Sequence, residues 1–350
     1  MATAIGLDIG SSAVRAVQLR HGRNGSSLEH VGQVQLPTGA VRNGEIVEPD
    51  VVVAALRQLW RTFRLKSRKV ALGLANQQVV VRRLDLPFMT ESELRTSLPL
   101  QVDGLIPISV DHAILDFCVL GERVADDGAR QVRILLVAAQ REMIDELLDV
   151  VRRARLQPVA IDLDAFAALR SMAAPDVFTE LGAEILVDVG STVTDLIVHH
   201  NGAPHFVRTV LFGGESITHG LMEELGVDYE AAERLKARAS AGAALSDQER
   251  SAAGLLREET QRLVDEIRSS IDYCAAQRDI PAIERIVLTG GTSRLPHLPG
   301  QLAEGLNLDV TTGSPLRELQ RGRGAIADAE LADAEPFLAV AVGLALGVDS

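Results

Sequence analysis

Two segments of the chain place a carboxylate, a glycine and two small hydroxyl residues at the end of an apolar run. They are Ile5-Gly6-Leu7-Asp8-Ile9-Gly10-Ser11-Ser12 and Ile185-Leu186-Val187-Asp188-Val189-Gly190-Ser191-Thr192. Glycine lets backbone N–H groups approach phosphate oxygens closely, and serine and threonine hydroxyls add hydrogen-bond donors without bulk. A carboxylate at each strand end can hold Mg²⁺ through water, because Mg²⁺ keeps several waters and usually takes one or two carboxylates.

These segments predict a pair of phosphate-binding hairpins that face each other across a cleft between two related halves. Phosphate contacts are expected from Gly10, Ser11, Ser12, Gly190, Ser191 and Thr192, and Mg²⁺ coordination through water from Asp8 and Asp188. Each hairpin taken alone is equally compatible with an ordinary β-turn, since glycine, serine and aspartate are common turn residues. The repetition of the pattern is what favours a nucleotide.

Further features could complete a nucleotide site in the second half. Paired glycines follow a predicted strand and open a predicted helix, namely Gly290 and Gly291 in the first case and Gly213 and Gly214 in the second. Such glycines allow a backbone to approach a nucleoside closely. On the next predicted helix, Glu233 and Lys236 lie about one turn apart on one face, where they could face ribose and adenine. Taken alone, the glycines form tight turns and the helix pair is solvated.

Competing catalytic motifs are absent from the sequence. It contains no Gly-x-x-x-x-Gly-Lys loop, no Gly-x-Gly-x-x-Gly opening a helix, no His-Glu-x-x-His and no serine flanked by glycines two residues away on each side. The enzymes to consider are therefore those of phosphoryl transfer.

Composition bounds the class of protein. A chain of 350 residues favours two domains, and 47% hydrophobic residues provide ample material for their cores. The net charge of −13 argues against a nucleic-acid partner, which would need a basic surface. The two cysteines, Cys118 and Cys274, match no metal-ligand spacing or disulfide framework, and we expect both to be buried, reduced thiols.

The sequence predicts a soluble, cytoplasmic protein without direct membrane insertion. Its N-terminus enters a predicted strand with no charged-then-apolar signal segment. Its longest apolar run, residues 337–348, is shorter than the ~20 residues that span a bilayer.

The order of predicted elements divides the chain into five segments. Alternating patterns predict three antiparallel strands, a helix beginning at Pro49 and a further strand within residues 1–78. Residues 79–154 have the content of a small α+β insertion, including the capping box Thr90-Glu91-Ser92-Glu93. A crossover at residues 155–180 then leads to the second half at residues 181–335, and residues 336–350 form a closing helix.

This ordered set resembles the actin/Hsp70/sugar-kinase ATPase superfamily over nearly the whole chain. The features that carry the resemblance are the two hairpins at Asp8 and Asp188, the crossover near Asp162, the Gly213 helix, the Glu233/Lys236 helix, the Gly290-Gly291 loop and a closing helix with Gly343. The resemblance implies a duplicated, actin-like/ribonuclease H-like α/β ATPase fold with ATP and Mg²⁺ as cofactors. It also implies that the glycines, Glu233 and Lys236 contact the nucleotide.

The insertion is similar to that of the PilM family of type IV pilus assembly proteins. The matching residues are Leu86-Pro87-Phe88-Met89-Thr90-Glu91-Ser92-Glu93-Leu94, Ile106-Pro107 and residues 111–117, together with Asn43-Gly44-Glu45-Ile46 and residues 230–236. This resemblance implies an ATP-binding cytoplasmic scaffold, peripheral to the inner face of the membrane, that meets other proteins of the pilus platform. It would dock the N-terminal cytoplasmic peptide of PilN beside the insertion, with residues 93–102 and 114–117 as the best region.

The sequence does not distinguish an ATPase from a protein that only binds ATP. Hydrolysis needs a base or a water-orienting group, and the two candidates, Asp162 and Asp188, cannot be distinguished by sequence. ATP binding with weak or absent hydrolysis is equally compatible with the chain.

Two alternatives share the fold. An FtsA-like cell-division protein would carry a C-terminal amphipathic membrane helix, whereas this sequence ends directly after the closing apolar helix. A sugar or acyl kinase would need an acceptor pocket in the first half, where residues 79–154 have instead the character of a protein-docking module.

Overall fold

The computed structural model describes residues 2–23, 25–172, 182–240, 246–277, 280–322 and 328–348. Two of the predicted segments are only partly covered by these ranges. Residues 173–180 of the crossover and residues 349–350 of the closing segment lie outside the described residues. The described residues form two large sheets that face a common cleft, a three-stranded sheet beside them and a short two-stranded hairpin.

The first half opens with an antiparallel meander and continues through a short hairpin and a helix. Its elements are β1 (Ala2–Ile9), β2 (Ala13–Gly22), β3 (Gly25–Gln35), β4 (Val41–Arg42), β5 (Glu45–Ile46), α1 (Pro49–Phe63) and β6 (Lys69–Leu74). Helix α1 begins at Pro49, where the missing N–H of proline would be unpaired in any case. Its buried stripe, which includes Val52, Leu56 and Leu59, packs against β2 and β3.

The insertion follows β6 and has a core of its own. Its elements are β7 (Val80–Pro87), α2 (Glu91–Val102), a 3₁₀ turn (Val110–His112), β8 (Ala113–Val124) and β9 (Arg130–Gln140). The strands form an antiparallel sheet in the order β7-β9-β8, and Leu94 and Leu98 of α2 pack against it. The predicted capping box is present, since the Thr90 N–H donates to Glu93 Oε2 over 2.8 Å.

Three elements return the chain to the first half, namely α3 (Arg141–Arg153), β10 (Gln157–Leu163) and α4 (Asp164–Met172). Strand β10 pairs in parallel with β6. Helix α3 buries Leu147, Val150 and Val151 in the core that α1 forms with the first sheet. It therefore packs as part of the first half, although residues 79–154 read in sequence as one unit.

The second half repeats the order of the first. Its elements are β11 (Ala183–Val189), β12 (Thr194–His200), β13 (Ala203–Val210), α5 (Gly214–Leu225), α6 (Tyr229–Ser240), α7 (Asp247–Ala275), β14 (Ile283–Thr289), a 3₁₀ turn (Gly291–Arg294), α8 (Leu298–Leu306) and β15 (Asp309–Thr312). The sheet order is β13-β12-β11-β14-β15, and the first sheet has the corresponding order β3-β2-β1-β6-β10. In both sheets a three-stranded antiparallel meander is followed by two parallel crossover strands. The fold is thus a structural duplication.

The end of the chain comes back to the first sheet. Its elements are β16 (Gln320–Arg321), α9 (Asp328–Ala334), a 3₁₀ turn (Glu335–Phe337) and α10 (Ala339–Leu346). Strand β16 already pairs with β3, so the return begins before residue 336. Helix α10 packs on β1 and α4, and a Cβ atom at Gly6 would overlap the Ala341 carbonyl oxygen. Glycine at position 6 therefore allows helix and strand to pack in direct backbone contact.

The structure separates the two cysteines. Cys274 is buried in α7, as predicted, and burial raises the pKa of its thiol to about 11. The prediction for Cys118 is wrong, because its side chain is exposed on β8. Neighbouring residues of a strand face opposite sides, so the burial of Phe117 against α2 turns Cys118 outward. In the described ranges, no helix combines the length and apolar character needed to cross a membrane.

Candidate functional site

The two predicted hairpin turns lie against each other at the base of the cleft. The Gly10 N–H donates to the Ala13 carbonyl over 3.1 Å, and the Gly190 N–H donates to the Val193 carbonyl over 2.9 Å, so the turns have the same closure. Across the cleft, Ser11 Oγ and Thr192 Oγ1 lie 2.5 Å apart. Backbone N–H groups and hydroxyls from both halves therefore converge on one place, as an anion-binding site requires.

A cavity of about 980 Å³ opens from these turns between the two halves. Of the residues predicted from sequence, it is lined by Asp8, Gly10, Ser11, Ser12, Asp188, Gly190, Ser191, Thr192, Gly214, Glu233, Lys236, Gly290 and Gly291. Gly213 does not line the cavity but is the N-cap residue of α5. The N-terminus of α5 packs on the second hairpin, where the Glu215 N–H donates a hydrogen bond of 2.8 Å to the Ser191 carbonyl. The volume is in the range of cofactor pockets.

The wall that was predicted to meet a nucleoside is built from α5, α6 and the Gly290 loop. Lys236 Nζ donates hydrogen bonds to the Gly214 carbonyl over 3.1 Å and to Thr218 Oγ1 over 2.7 Å, and it pairs with Glu233 over 2.5 Å. Gly290 has a φ of +87°, and a Cβ atom there would overlap Asp188 Oδ1. Only glycine lets this loop lie directly on the carboxylate.

Four carboxylates meet at the strand ends beside the hairpins, which are Asp8, Asp164, Asp188 and Asp195. Burial is the main cause of the raised pKa of each, and it raises that of Asp188 to about 7 and that of Asp195 to about 6. The charges of neighbouring carboxylates add to the effect at Asp164, whose pKa is well above its usual value. The Arg15 guanidinium opposes the rise in the pKa of Asp8.

These carboxylates fit a divalent cation. Asp164 Oδ1 is buried and has no hydrogen-bond partner, and each raised pKa reports repulsion or desolvation that a cation would relieve. Among the described residues, no three His, Cys, Asp or Glu side chains are arranged to enclose a metal by themselves. Such an arrangement is compatible with Mg²⁺, which keeps several waters and takes oxygens from substrate phosphates.

Three residues of the site were missed by the sequence analysis: Arg15, Asp164 and Asp195. In the register of the hairpins, Asp8 lies opposite Arg15 and Asp188 lies opposite Asp195, so each pair occupies equivalent positions in the two halves. Directly opposed residues of antiparallel strands share one face of a sheet. Counting outward from each turn was therefore a signal that could have identified Arg15 and Asp195, whereas Asp164 lies in neither hairpin.

Arg15 is a buried cation beside the first hairpin. Its guanidinium lies 3.3 Å from Asp8 Oδ2 and donates a hydrogen bond to Ser12 Oγ over 3.3 Å. Its Cζ also lies 5.3 Å from the centre of the Phe337 ring, on the segment that returns from the second half. A positive charge held at this point is suited to an anionic ligand.

The two predicted catalytic carboxylates occupy different environments. Asp188 lines the cavity, whereas Asp162 does not, because Asp162 Oδ2 accepts a hydrogen bond from Arg170 Nη2 over 2.7 Å on the flank of β10. Asp164, two residues later at the start of α4, faces the cavity instead.

A second cavity of about 940 Å³ lies beside the insertion, between its 3₁₀ turn and helix α3. Its apolar lining includes Pro107, Ile108 and Val150, and its acidic lining consists of Glu142, Asp145, Glu146 and Asp149. We call this cavity the groove. The predicted docking region, residues 93–102 and 114–117, does not line it. The groove shares Ile46, Gln140, Glu142 and Glu146 with the larger cavity.

Comparison with known proteins supports the fold and identifies the family. The chain is 27% identical over 252 residues to the cell division protein FtsA of Neisseria meningitidis serogroup B, and the match covers 66% of this chain and 59% of FtsA. It therefore spans less than two thirds of that relative. MreB5 of Spiroplasma citri bound to AMPPNP, at 10% identity and a TM-score of 0.55, covers 98% of this chain and 95% of its own, and it shows the fold alone.

A chain of the PilM–PilN type IV pilus biogenesis complex superimposes with a TM-score of 0.84 and 26% identity over 99% of each chain. The predicted duplicated, actin-like α/β fold is thereby confirmed. A family model described as type IV pilus assembly protein PilM matches residues 6–348, and the protein belongs to this PilM family.

Proposed function

We propose that this protein binds Mg-ATP between its two halves and serves as a cytoplasmic scaffold of the type IV pilus assembly platform. The observation that carries the nucleotide assignment is the 2.5 Å contact between Ser11 and Thr192, which brings two equivalent glycine turns together beside Asp8 and Asp188. Triphosphate oxygens would accept from the backbone N–H groups of both turns, and Mg²⁺ would lie between phosphates and carboxylates.

Hydrolysis is expected to be weak or absent. The carboxyl group of Asp164 faces the cavity, but burial and the neighbouring carboxylates raise its pKa well above the usual value, which disfavours the ionised form that a general base needs. Bound Mg²⁺ would lower that pKa through its charge. Asp162 is held by Arg170 outside the cavity, so Asp164 replaces it as the candidate that would orient a water molecule.

The groove is the proposed site for the N-terminal cytoplasmic peptide of PilN. The apolar residues and the four carboxylates of its lining suit an extended peptide that alternates apolar and basic side chains. The complex of PilM with PilN, whose PilM-like chain is similar over its full length, supports this partner. Association with the inner face of the membrane would then depend on the partner, and other platform proteins could bind elsewhere.

A fluorescent peptide from the PilN N-terminus of the same genome tests this assignment by anisotropy. We expect saturable binding to the purified protein that an unlabelled copy displaces. Equal binding of a scrambled peptide of the same composition would contradict a specific docking role.

A further inference from the structure

The insertion contacts both halves of the protein, although the chain places it within the first. On one side, β7 runs beside β13, and Arg83 Nη2 donates a hydrogen bond of 2.9 Å to Gln277 Oε1 just after α7. On the other side, β9 contacts α3, and Arg141 Nη2 donates to the Ala113 carbonyl over 3.1 Å. The insertion therefore bridges two bodies that line opposite sides of the nucleotide cleft.

One wall of the groove lies on the insertion itself, and the other lies on the first half. Pro107, Ile108 and His112 belong to the insertion, whereas Pro49 and the acidic face of α3 belong to the first half. Any shift of the insertion relative to α3 changes the width of the groove. Arg83 also ties the insertion to the second half, so a movement of that half about the cleft would shift the insertion and, with it, one wall of the groove.

We propose that the insertion couples the nucleotide cleft to the peptide groove, with Arg83 as a positioning residue that acts through Gln277. This inference rests on the proposed function, because it assumes a nucleotide in the cleft and a peptide in the groove. Coupling is reciprocal, so each ligand must change the affinity of the other by the same factor.

The structure also favours one sign for the coupling. The two hairpins are in contact through Ser11 and Thr192 in the same conformation in which the groove has a volume of about 940 Å³. A nucleotide that contacts both hairpins would stabilise this conformation and, with it, the open groove. We therefore expect the coupling to be positive.

The test is a pair of calorimetric titrations with the full chain. In the first, PilN peptide is added with and without saturating Mg-ATP, and in the second, Mg-ATP is added with and without saturating peptide. For the wild type we expect the peptide to bind roughly fivefold tighter or more with Mg-ATP present. Gln277→Ala removes the acceptor for Arg83 without touching either cavity. The affinity for each ligand, measured without the other, should stay within about twofold of the wild-type value. The coupling factor should fall close to one.

Gln261→Ala is the matched control. Gln261 lies on the same helix, α7, and is exposed, and its amide donates to Asp265 one turn away rather than to the insertion. This variant should retain the wild-type coupling factor. Equal peptide affinity with and without Mg-ATP in the wild type, or full coupling in Gln277→Ala, would overturn the inference while leaving the proposed function intact. Failure of the wild type to bind either ligand alone would overturn both.

Discussion

Ser11 Oγ and Thr192 Oγ1 lie 2.5 Å apart although 181 positions separate the two residues in sequence. Each occupies a turn that joins the first two strands of its half, so the contact relates equivalent points of a duplicated fold. In the proposed function, this contact holds the two glycine turns close enough for one triphosphate to meet both. Everything else at the site is arranged around this point, with carboxylates at the strand ends and the nucleoside wall on α5 and α6.

Replacement of Asp188 should weaken nucleotide binding without unfolding the protein. Asp188→Ala removes a carboxylate that lies at the strand end beside Gly290, and we expect the affinity for Mg-ATP to fall about tenfold or more, which is ~1.4 kcal/mol. Calorimetry measures the affinity and circular dichroism the fold. Asp126→Ala, in an exposed turn of the insertion, is the control and should bind as the wild type does. Unchanged affinity in a folded Asp188→Ala protein would refute the two-hairpin assignment.

The raised pKa of Asp188 should make the stability of the ligand-free protein depend on pH. The pKa of its carboxyl group is 3.8 in an unfolded chain and about 7 in the fold, so between these values the folded state holds a proton that the unfolded state has released. The contribution of this group is fully present below about pH 4 and is lost as the pH rises through 7. Asp188→Asn cannot ionise and should therefore be more stable than the wild type at pH 8.

Urea unfolding without nucleotide or Mg²⁺ measures this difference. The advantage of Asp188→Asn should shrink as the pH is lowered from 8 to 5, by up to about 1.4 kcal/mol per pH unit within the window. Asp126→Asn, at an exposed position, should show no such trend. A difference that is the same at both pH values would mean that Asp188 titrates normally.

The nucleoside wall and the phosphate hairpins should be separable with two ligands. Lys236 Nζ donates hydrogen bonds to the Gly214 carbonyl, Thr218 Oγ1 and Glu233 Oε1, all of which lie on α5 and α6. Lys236→Ala should weaken the binding of ATP roughly tenfold but leave the affinity for Mg-tripolyphosphate unchanged. Asp188→Ala should weaken the binding of both ligands. Lys66→Ala, an exposed lysine of the first half, is the control. Equal losses for both ligands in Lys236→Ala would place this lysine at the phosphates instead.

The acidic rim of the groove should govern peptide binding through charge. Asp145→Asn and Glu146→Gln each remove one carboxylate from the exposed face of α3. We expect each to lower the affinity for a peptide that carries lysine or arginine about threefold at low salt. Because exposed charges are screened, the differences should fade above ~0.5 M salt. Anisotropy gives the affinities, and Glu258→Gln on α7 is a remote control. Losses that persist at high salt would point to disturbed packing rather than to charge.

The repeated hairpin motif was sufficient to predict the duplicated halves and the residues of both turns that line the base of the cavity. Asp8 and Asp188 could be found because a strand, a carboxylate and a glycine turn follow one another within a few residues. Arg15 and Asp195 depend on the pairing register, which brings residues on the far side of each turn back beside the carboxylates. That information is present in the sequence, but only once the turn has been placed.

Other features depend on tertiary packing and could not be predicted. Asp162 and Asp164 differ only in which side of the β10–α4 boundary they occupy, and Arg170 then holds the first outside the cavity. Likewise, the amphipathic pattern of α3 predicts a buried face but does not say that this face joins the core of α1. Sequence periodicity identifies the buried face of a helix, but the assembled fold decides which other elements that face packs against.

A calorimetric titration of the wild-type protein with ATP, with and without Mg²⁺, tests the central claim most directly. We predict one ATP per chain, an affinity that rises when Mg²⁺ is present, and, at pH 6.5, release of protons as the cation lowers the pKa values of Asp188 and Asp195. Titrations in two buffers of different ionisation enthalpy reveal these protons. A flat titration with folded protein, or binding that neither needs Mg²⁺ nor releases protons, would contradict a Mg-nucleotide site between the two halves.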